Sequence, residues 1–241
     1  MTLIGTVARR VTGFVVDRAW TTLPQSAPAV HAALTRLIDW AIDGSARLSG
    51  AKEAAGKHLQ RQGTVDAAID AAIRQHAALI TVQGAITNAG GLVSAIVGTP
   101  VNATGIIVLQ TRMVACLAHL RGYDVDDPRV RTAIAMCLLG DDDLTTLVEA
   151  GQLPSTPLAV ATSPVYDPAL LATVTERVVN HILVASTGKG LVAGLARRIP
   201  VVGGGVGGIA DLYDTLTVAR CARYHLVTRR VTPVISSADK A

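Results

Sequence analysis

Aromatic residues make up only 3% of this 241-residue chain and charged residues only 17%, against about 25% charged in an ordinary soluble domain. The shortage of aromatics removes the stacking platforms on which single-stranded nucleic acid is held, so no nucleic-acid partner is expected. The shortage of charge leaves an excess of apolar surface to be hidden in a core, a partner, a bilayer or a ligand cavity. Cysteine is scarce as well: Cys116, Cys137 and Cys221 are odd in number and far apart in apolar runs. They read as reduced core thiols of a cytosolic protein and not as a disulfide or zinc framework. Nothing matches G-x-S-x-G, H-E-x-x-H or C-x-x-C, and Lys189 lacks the upstream glycine and following Ser/Thr of a P-loop. No run alternates as a strand should. The six histidines, His31, His58, His76, His119, His181 and His225, stand singly, where a satisfied or exposed imidazole is the ordinary outcome. An enzyme is not expected, nor a metal or cofactor.

The most pronounced absence is local. From Gln75 to Thr111 there is no Asp, Glu, Lys or Arg, while Gly84, Gly91, Gly98 and Gly105 recur at intervals of seven. Two helical turns separate each glycine from the next, so on one helix they would line a groove that another helix can approach closely. Pro100 interrupts that picture, because it cannot donate to the residue four back and would kink a straight helix at a cost of about 3 kcal/mol. The stretch is therefore expected to form shorter helices, with breaks at Gly90-Gly91 and near Gly98-Pro100. Thr87, Asn88, Ser94, Thr99, Asn102 and Thr104 speckle both sides of the proline. A membrane span wants ~20 mainly apolar residues, so the expectation is a buried helical hairpin and not a spanning one.

What the chain does have is small and aliphatic. Half its residues are apolar, mostly Ala, Val, Leu and Ile, and the mean hydropathy is +0.41. That is enough to bury a large core, and small side chains permit close helix packing. The net charge of +4 is unevenly placed. Between Lys189 and Arg230 seven basic residues face two acidic ones, a local +5, and the remaining fifteen basic and sixteen acidic residues carry −1. A basic segment beside apolar sequence suits anionic lipid headgroups.

Taken in order, Thr2 to Leu23 places Ile4, Val7, Val11, Phe14 and Val15 at helical spacing, and reads as a terminal amphipathic helix. Arg9, Arg10 and Asp17 interrupt its apolar residues before they form a signal-peptide core, so no secretory signal is expected. After Pro24 and Pro28, helical periodicity resumes through Ala33, Leu37, Trp40 and Ala41. The polar stretch from Ser49 to Gly63 fits a solvated helix. Thr64 is the expected N-cap of the next one, with Asp66 in its first turns and Asp70 and Arg74 paired at i,i+4. Gly122 is the expected C-cap of a helix through Leu109, Met113 and Leu117. Asp126-Asp127-Pro128 should then start a helix stopping at Gly140, and Asp141, Asp142 and Asp143 should cap another running to Gly151. The four prolines from Pro154 to Pro168 mark a linker or long loop. Asp167-Pro168 should restart a helix through Leu171, Val174 and Val178.

Residues 194 to 211, GLARRIPVVGGGVGGIAD, form a second Gly/Pro-rich apolar centre. Gly203, Gly205 and Gly208 match G-x-G-x-x-G, but no acidic residue lies between Asp214 and Asp239 to bind a ribose, and there is no strand-helix series to build the sheet. The glycines are better read as close-packing positions, Gly203-x3-Gly207 and Gly204-x3-Gly208.

Two groups of residues carry a family resemblance. Gly90-Gly91-Leu92 through Pro100, then Leu109-Gln110-Thr111-Arg112 and Leu120-Arg121-Gly122-Tyr123-Asp124, resemble the central signature of the EcsC family of bacterial proteins. Arg198-Ile199-Pro200-Val201-Val202-Gly203-Gly204 with Gly207-Gly208, Ala219, Ala222 and Tyr224 resembles that family's C-terminal signature. The likeness covers Val30 to Val227, and departs from the pattern at Asp211, where an Asn is expected. It implies a hydrophobic, helical, membrane-associated bacterial protein. It implies no reaction, since the family is named for its occurrence beside an ABC transporter.

The expected fold is all-α, a compact multi-helix domain built on two Gly/Pro-rich apolar hairpins. Residues 1–28 would be an amphipathic segment, 29–230 the helical domain and 231–241 a flexible tail. The expected function is binding of a lipid or other amphiphile in an apolar inter-helix groove, at the cytoplasmic face of the cell membrane. Ile96, Val97, Ile106, Ile107, Val201 and Val202 would contact the acyl part, with Arg197 and Arg198 at the headgroup. The rival is a non-enzymatic interaction protein that packs on a membrane transporter or on another copy of itself. A hydrolase or transferase using Asp124, Asp211 or a histidine is the third alternative.

Overall fold

Segments with 3.6-residue periodicity become helices, and among the described residues there is no strand. A computed structural model describes residues 27–44, 49–88, 91–153, 155–178 and 205–229. The N-terminal amphipathic segment, the C-terminal tail and most of the second glycine centre lie outside them. The helices in chain order are α1 (Ala27–Asp43), α2 (Ala51–Gln62), α3 (Val65–Asn88), α4 (Gly91–Leu120), α5 (Pro128–Cys137), α6 (Gly140–Glu149) and α7 (Pro157–Ala161). They are followed by α8 (168–178) and α9 (Gly205–His225).

The 30-residue helix α4 is the axis of the domain. It is flanked by α1, α2, α3, α5 and α9, and every residue from Gly105 to Ala118 is buried. Enclosure over 105–118 explains why that part of the helix has no polar stripe. Around it, α3 turns inward Ala68, Ile69, Ala72, Ile73, Ala77 and Ile80, the i, i+3, i+4 set of one helix face. The polar helix α2 does the same with Ala51, Ala54, Ala55 and His58. Among the described residues, no helix is long and apolar enough to cross a membrane.

The expected break at Gly98-Pro100 does not occur: α4 runs through Pro100, and the division between helices falls between Asn88 and Gly91. Proline deletes one rung, the bond that the Ile96 carbonyl would accept. Ending the helix there would orphan four carbonyls and four amides in a stretch with no charged side chain to cap them. One missing rung is the smaller cost. Gly91, Gly98 and Gly105 therefore share one helix, and only Gly84 lies on α3.

The local stop and start signals hold in most places. The Thr64 hydroxyl accepts the Ala67 N–H at 3.3 Å, and Asp70 pairs not with Arg74 but with Arg223 of α9. Asp127 accepts the Arg129 N–H at 2.9 Å with Pro128 at the first helical position. Asp167 accepts from Ala169 at 2.8 Å. Gly140 does not stop α5, which ends at Cys137; with φ at +75° it opens α6 and puts Asp141, Asp142 and Asp143 in the first turn. The proline-rich stretch is not a linker either. It contains α7, capped by Thr156, and buries Leu153, Pro157, Val160 and Ala161.

Two long-range devices fix the outer helices. The Arg131 guanidinium bridges Asp39 and Asp43 of α1, at 2.6 Å each. The turn after α4 clamps the end of α9: Arg121 Nη1 donates to the Arg223 and Leu226 carbonyls, both at 2.6 Å, and the Tyr123 hydroxyl donates to the Val227 carbonyl at 2.9 Å. The Arg229 guanidinium stands 5.7 Å from the centre of the Tyr123 ring. A cation thus satisfies carbonyls that every helix C-terminus leaves unpaired.

Candidate functional site

Of the residues expected to line a groove, Ile106 and Ile107 are buried on α4, 9% and 8% exposed. Ile107 belongs to the main core, and Ile106 to a smaller cluster with Ala41, Leu79, Ile80, Val108 and Leu109. Ile96 and Val97 lie on the same helix, but their side chains, and Arg197, Arg198, Val201 and Val202 altogether, fall outside the described residues. Asp124 is exposed and accepts the Asp126 N–H at 3.0 Å, a local turn. Asp211 is buried on α9.

The structure singles out two other places. The first is Arg112, on α4 directly after the uncharged stretch. The residue is 6% exposed. Among the described residues its one hydrogen bond runs from Nη2 to the Ser49 hydroxyl at 3.0 Å, no carboxylate forms an ion pair with it, and Nη1 is buried without a partner. Burying a guanidinium without a counter-ion costs several kcal/mol. Burial holds its pKa below the ordinary guanidinium value, and Cys116 and Glu53 offset only part of that. His58 of α2 and His76 of α3 both feel the Arg112 charge, and each is held below the ordinary imidazole pKa, by burial first. His76 is driven down to about 4 and is therefore neutral. Its Nδ1 lies 2.8 Å from the Ala72 carbonyl, which fixes the proton there, and Nε2 is left as a buried acceptor without a partner. Next along α4, Cys116 is pushed up to about 12 by burial, against the pull of Arg112. The arrangement leaves one guanidinium nitrogen and one ring nitrogen buried without hydrogen-bond partners.

The second place lies where α5, α6 and α9 meet. Cys221 and His225 are one turn apart on α9, and so share a face. Asp141 reaches them from the first turn of α6, and the ligand atoms of all three lie within 4.8 Å of one another. The imidazole Nε2 is 3.2 Å from Asp141 Oδ1. Cys137, the last residue of α5, feels the Cys221 thiol, and that neighbour, with burial, pushes its pKa well above the ordinary thiol value. The trio has the groups of a cysteine-histidine-aspartate relay, but Cys221 is 0% exposed, and a nucleophile must reach its substrate. The same donors suit a metal cation, for which burial is no obstacle.

Local reading misses both places for the same reason. Cys137 and Cys221 were separate core thiols, and His225 and the aspartates after Gly140 separate surface features; a contact spanning 84 positions unites them. The available signals were the Cys221-x3-His225 spacing and, for Arg112, a lone cation interrupting an apolar helix. No family model, curated protein or solved structure matches the chain.

Proposed function

We propose that the chain is a non-enzymatic helical binding protein for an amphiphile with an acidic headgroup, a carboxylate or a phosphate. It would act at the cytoplasmic face of the cell membrane. One observation carries this reading: the buried Arg112 guanidinium, which makes no ion pair among the described residues and leaves Nη1 without a partner. Such a charge is unstable alone and becomes stable when an anion desolvates beside it. His76 Nε2 accepts the proton of a monoprotonated phosphate or of an acid's hydroxyl. The uncharged run from Gln75 to Thr111 supplies apolar surface for an acyl chain. The EcsC-like segments agree with membrane association, and Arg112 ends one of them.

The test is organic extraction and mass spectrometry of the purified protein, with flotation on phosphatidylglycerol vesicles and a calorimetric titration with inorganic phosphate. Wild type should carry or take up an acidic amphiphile, and Arg112→Met should lose it. Binding of phosphate but not of vesicles or oleate would restrict the site to a free anion. Equal binding by wild type and Arg112→Met, or no binding by either, would refute the reading.

A further inference from the structure

We propose that Asp141, Cys221 and His225 bind a zinc-class divalent cation. The donors select the metal. Thiolate, imidazole and carboxylate are the set that zinc accepts, whereas calcium and magnesium demand oxygen ligands.

The spacing is close to what coordination needs. Ligand atoms 2.0–2.3 Å from a tetrahedral zinc stand about 3.3–3.8 Å from one another. The imidazole-carboxylate edge is at 3.2 Å already, and the trio's outer limit of 4.8 Å asks for a closure of about 1 Å, given that zinc geometry. The positions are fixed by backbone and not by flexible stems. Cys221 and His225 ride on α9, and Asp141 is aimed by Gly140, whose φ of +75° sets the turn and whose missing side chain lets Thr217 of α9 come close. The Tyr224 ring stands edge-on to the imidazole, its centroid 4.9 Å away.

Access and chemistry follow from burial. The Asp141 side chain is 40% exposed and that of His225 11%, while Cys221 is at 0%, so a cation enters past the carboxylate and ends on sulfur. Binding forms a metal–thiolate bond and releases the Cys221 thiol proton to solvent; no oxidant is involved. With three protein donors the cation ties α6 to α9 and keeps its fourth position for solvent. This does not depend on the reading of Arg112, which lies among α2, α3 and α4.

The experiment is a cobalt(II) titration of the full chain after chelator treatment, followed by absorption, with zinc(II) added at the end. Wild type should bind one cobalt per chain, with a sulfur-to-cobalt charge-transfer band and the intense visible bands of a tetrahedral site, and zinc should bleach both. Cys221→Ser should lose the charge-transfer band. Cys116→Ser, a thiol on α4, should keep it. Asp141→Asn, conservative and partly exposed, should weaken binding by about tenfold or more, at least the loss seen for outer-shell partners, and it decides the matter if Cys221→Ser does not fold. No saturable band in wild type, a band that survives Cys221→Ser, or Asp141→Asn binding as tightly as wild type would overturn the assignment.

Discussion

His76 makes stability depend on pH in a window where few other groups act. Its imidazole titrates near 6.5 in an unfolded chain and at about 4 in the fold, lowered by burial ahead of the charges of Arg112 and His58. Between those values the unfolded chain holds a proton that the native one refuses. Stability is therefore full above pH 6.5 and falls as pH falls. At 1.36 kcal/mol per pH unit the whole loss is about 3 kcal/mol, of which about 2 kcal/mol accrues between pH 7 and pH 5. His58 acts in the same direction, but it is present in both proteins of the comparison and cancels. The carboxylates Asp126 and Asp127, held low by Lys52 and Arg129, contribute above pH of about 4 and lose that contribution below it, outside the window. The assay is urea unfolding of delipidated protein by circular dichroism at pH 7 and pH 5, for wild type and His76→Met. Wild type should lose about 2 kcal/mol more than the variant. Equal losses would refute the assignment of a buried neutral imidazole at this position.

Three further outcomes follow from the geometry. Arg112→Met should raise the stability of the delipidated protein by about 1–4 kcal/mol, because an apolar side chain replaces a buried charge that makes no ion pair among the described residues; calorimetric melting measures it, and a lower midpoint would contradict the cost of that burial. Gly140→Ala should destabilise by about 1–3 kcal/mol, since a Cβ there takes a left-handed backbone and stands 3.0 Å from the Thr217 methyl. Adding Thr217→Ser should recover part of that loss, as it removes the contact but not the strain. Arg121→Met should cost about 1.5–3 kcal/mol for the charged donor lost at the end of α9, and hydrogen exchange should show the amides nearest His225 opening before those of α4.

How far the sequence discloses this molecule depends on the range of the interaction. Thr64, Asp127-Pro128, Gly122 and Asp167-Pro168 act within four residues of themselves, and each caps a helix where its local chemistry says it should. Pro100 and Gly140 carry equally clear local signals, yet Pro100 sits inside a helix and Gly140 starts one instead of ending one. At Pro100 the backbone hydrogen bonds that a break would orphan outweigh the one rung that proline deletes, and at Gly140 the close approach of Thr217 of α9 favours a residue without a side chain. The candidate sites are less legible still, because their meaning is a relation between helices. Arg112 looks like a helix surface charge until α2 and α3 are packed over it, and only then does the missing carboxylate become a cost. Cys221 and His225 share a face by spacing alone. What that face meets is decided by the Arg121–Gly122–Tyr123 clamp, which sets where α9 ends against α4, and by Gly140, which turns Asp141 toward it. The residues most informative about function are thus the ones whose local environment, read along the chain, is least unusual. Their chemistry is supplied by contacts made 84 positions away, and a substitution at Gly140 or Arg121 should disturb the Cys221 centre without touching any of its ligands.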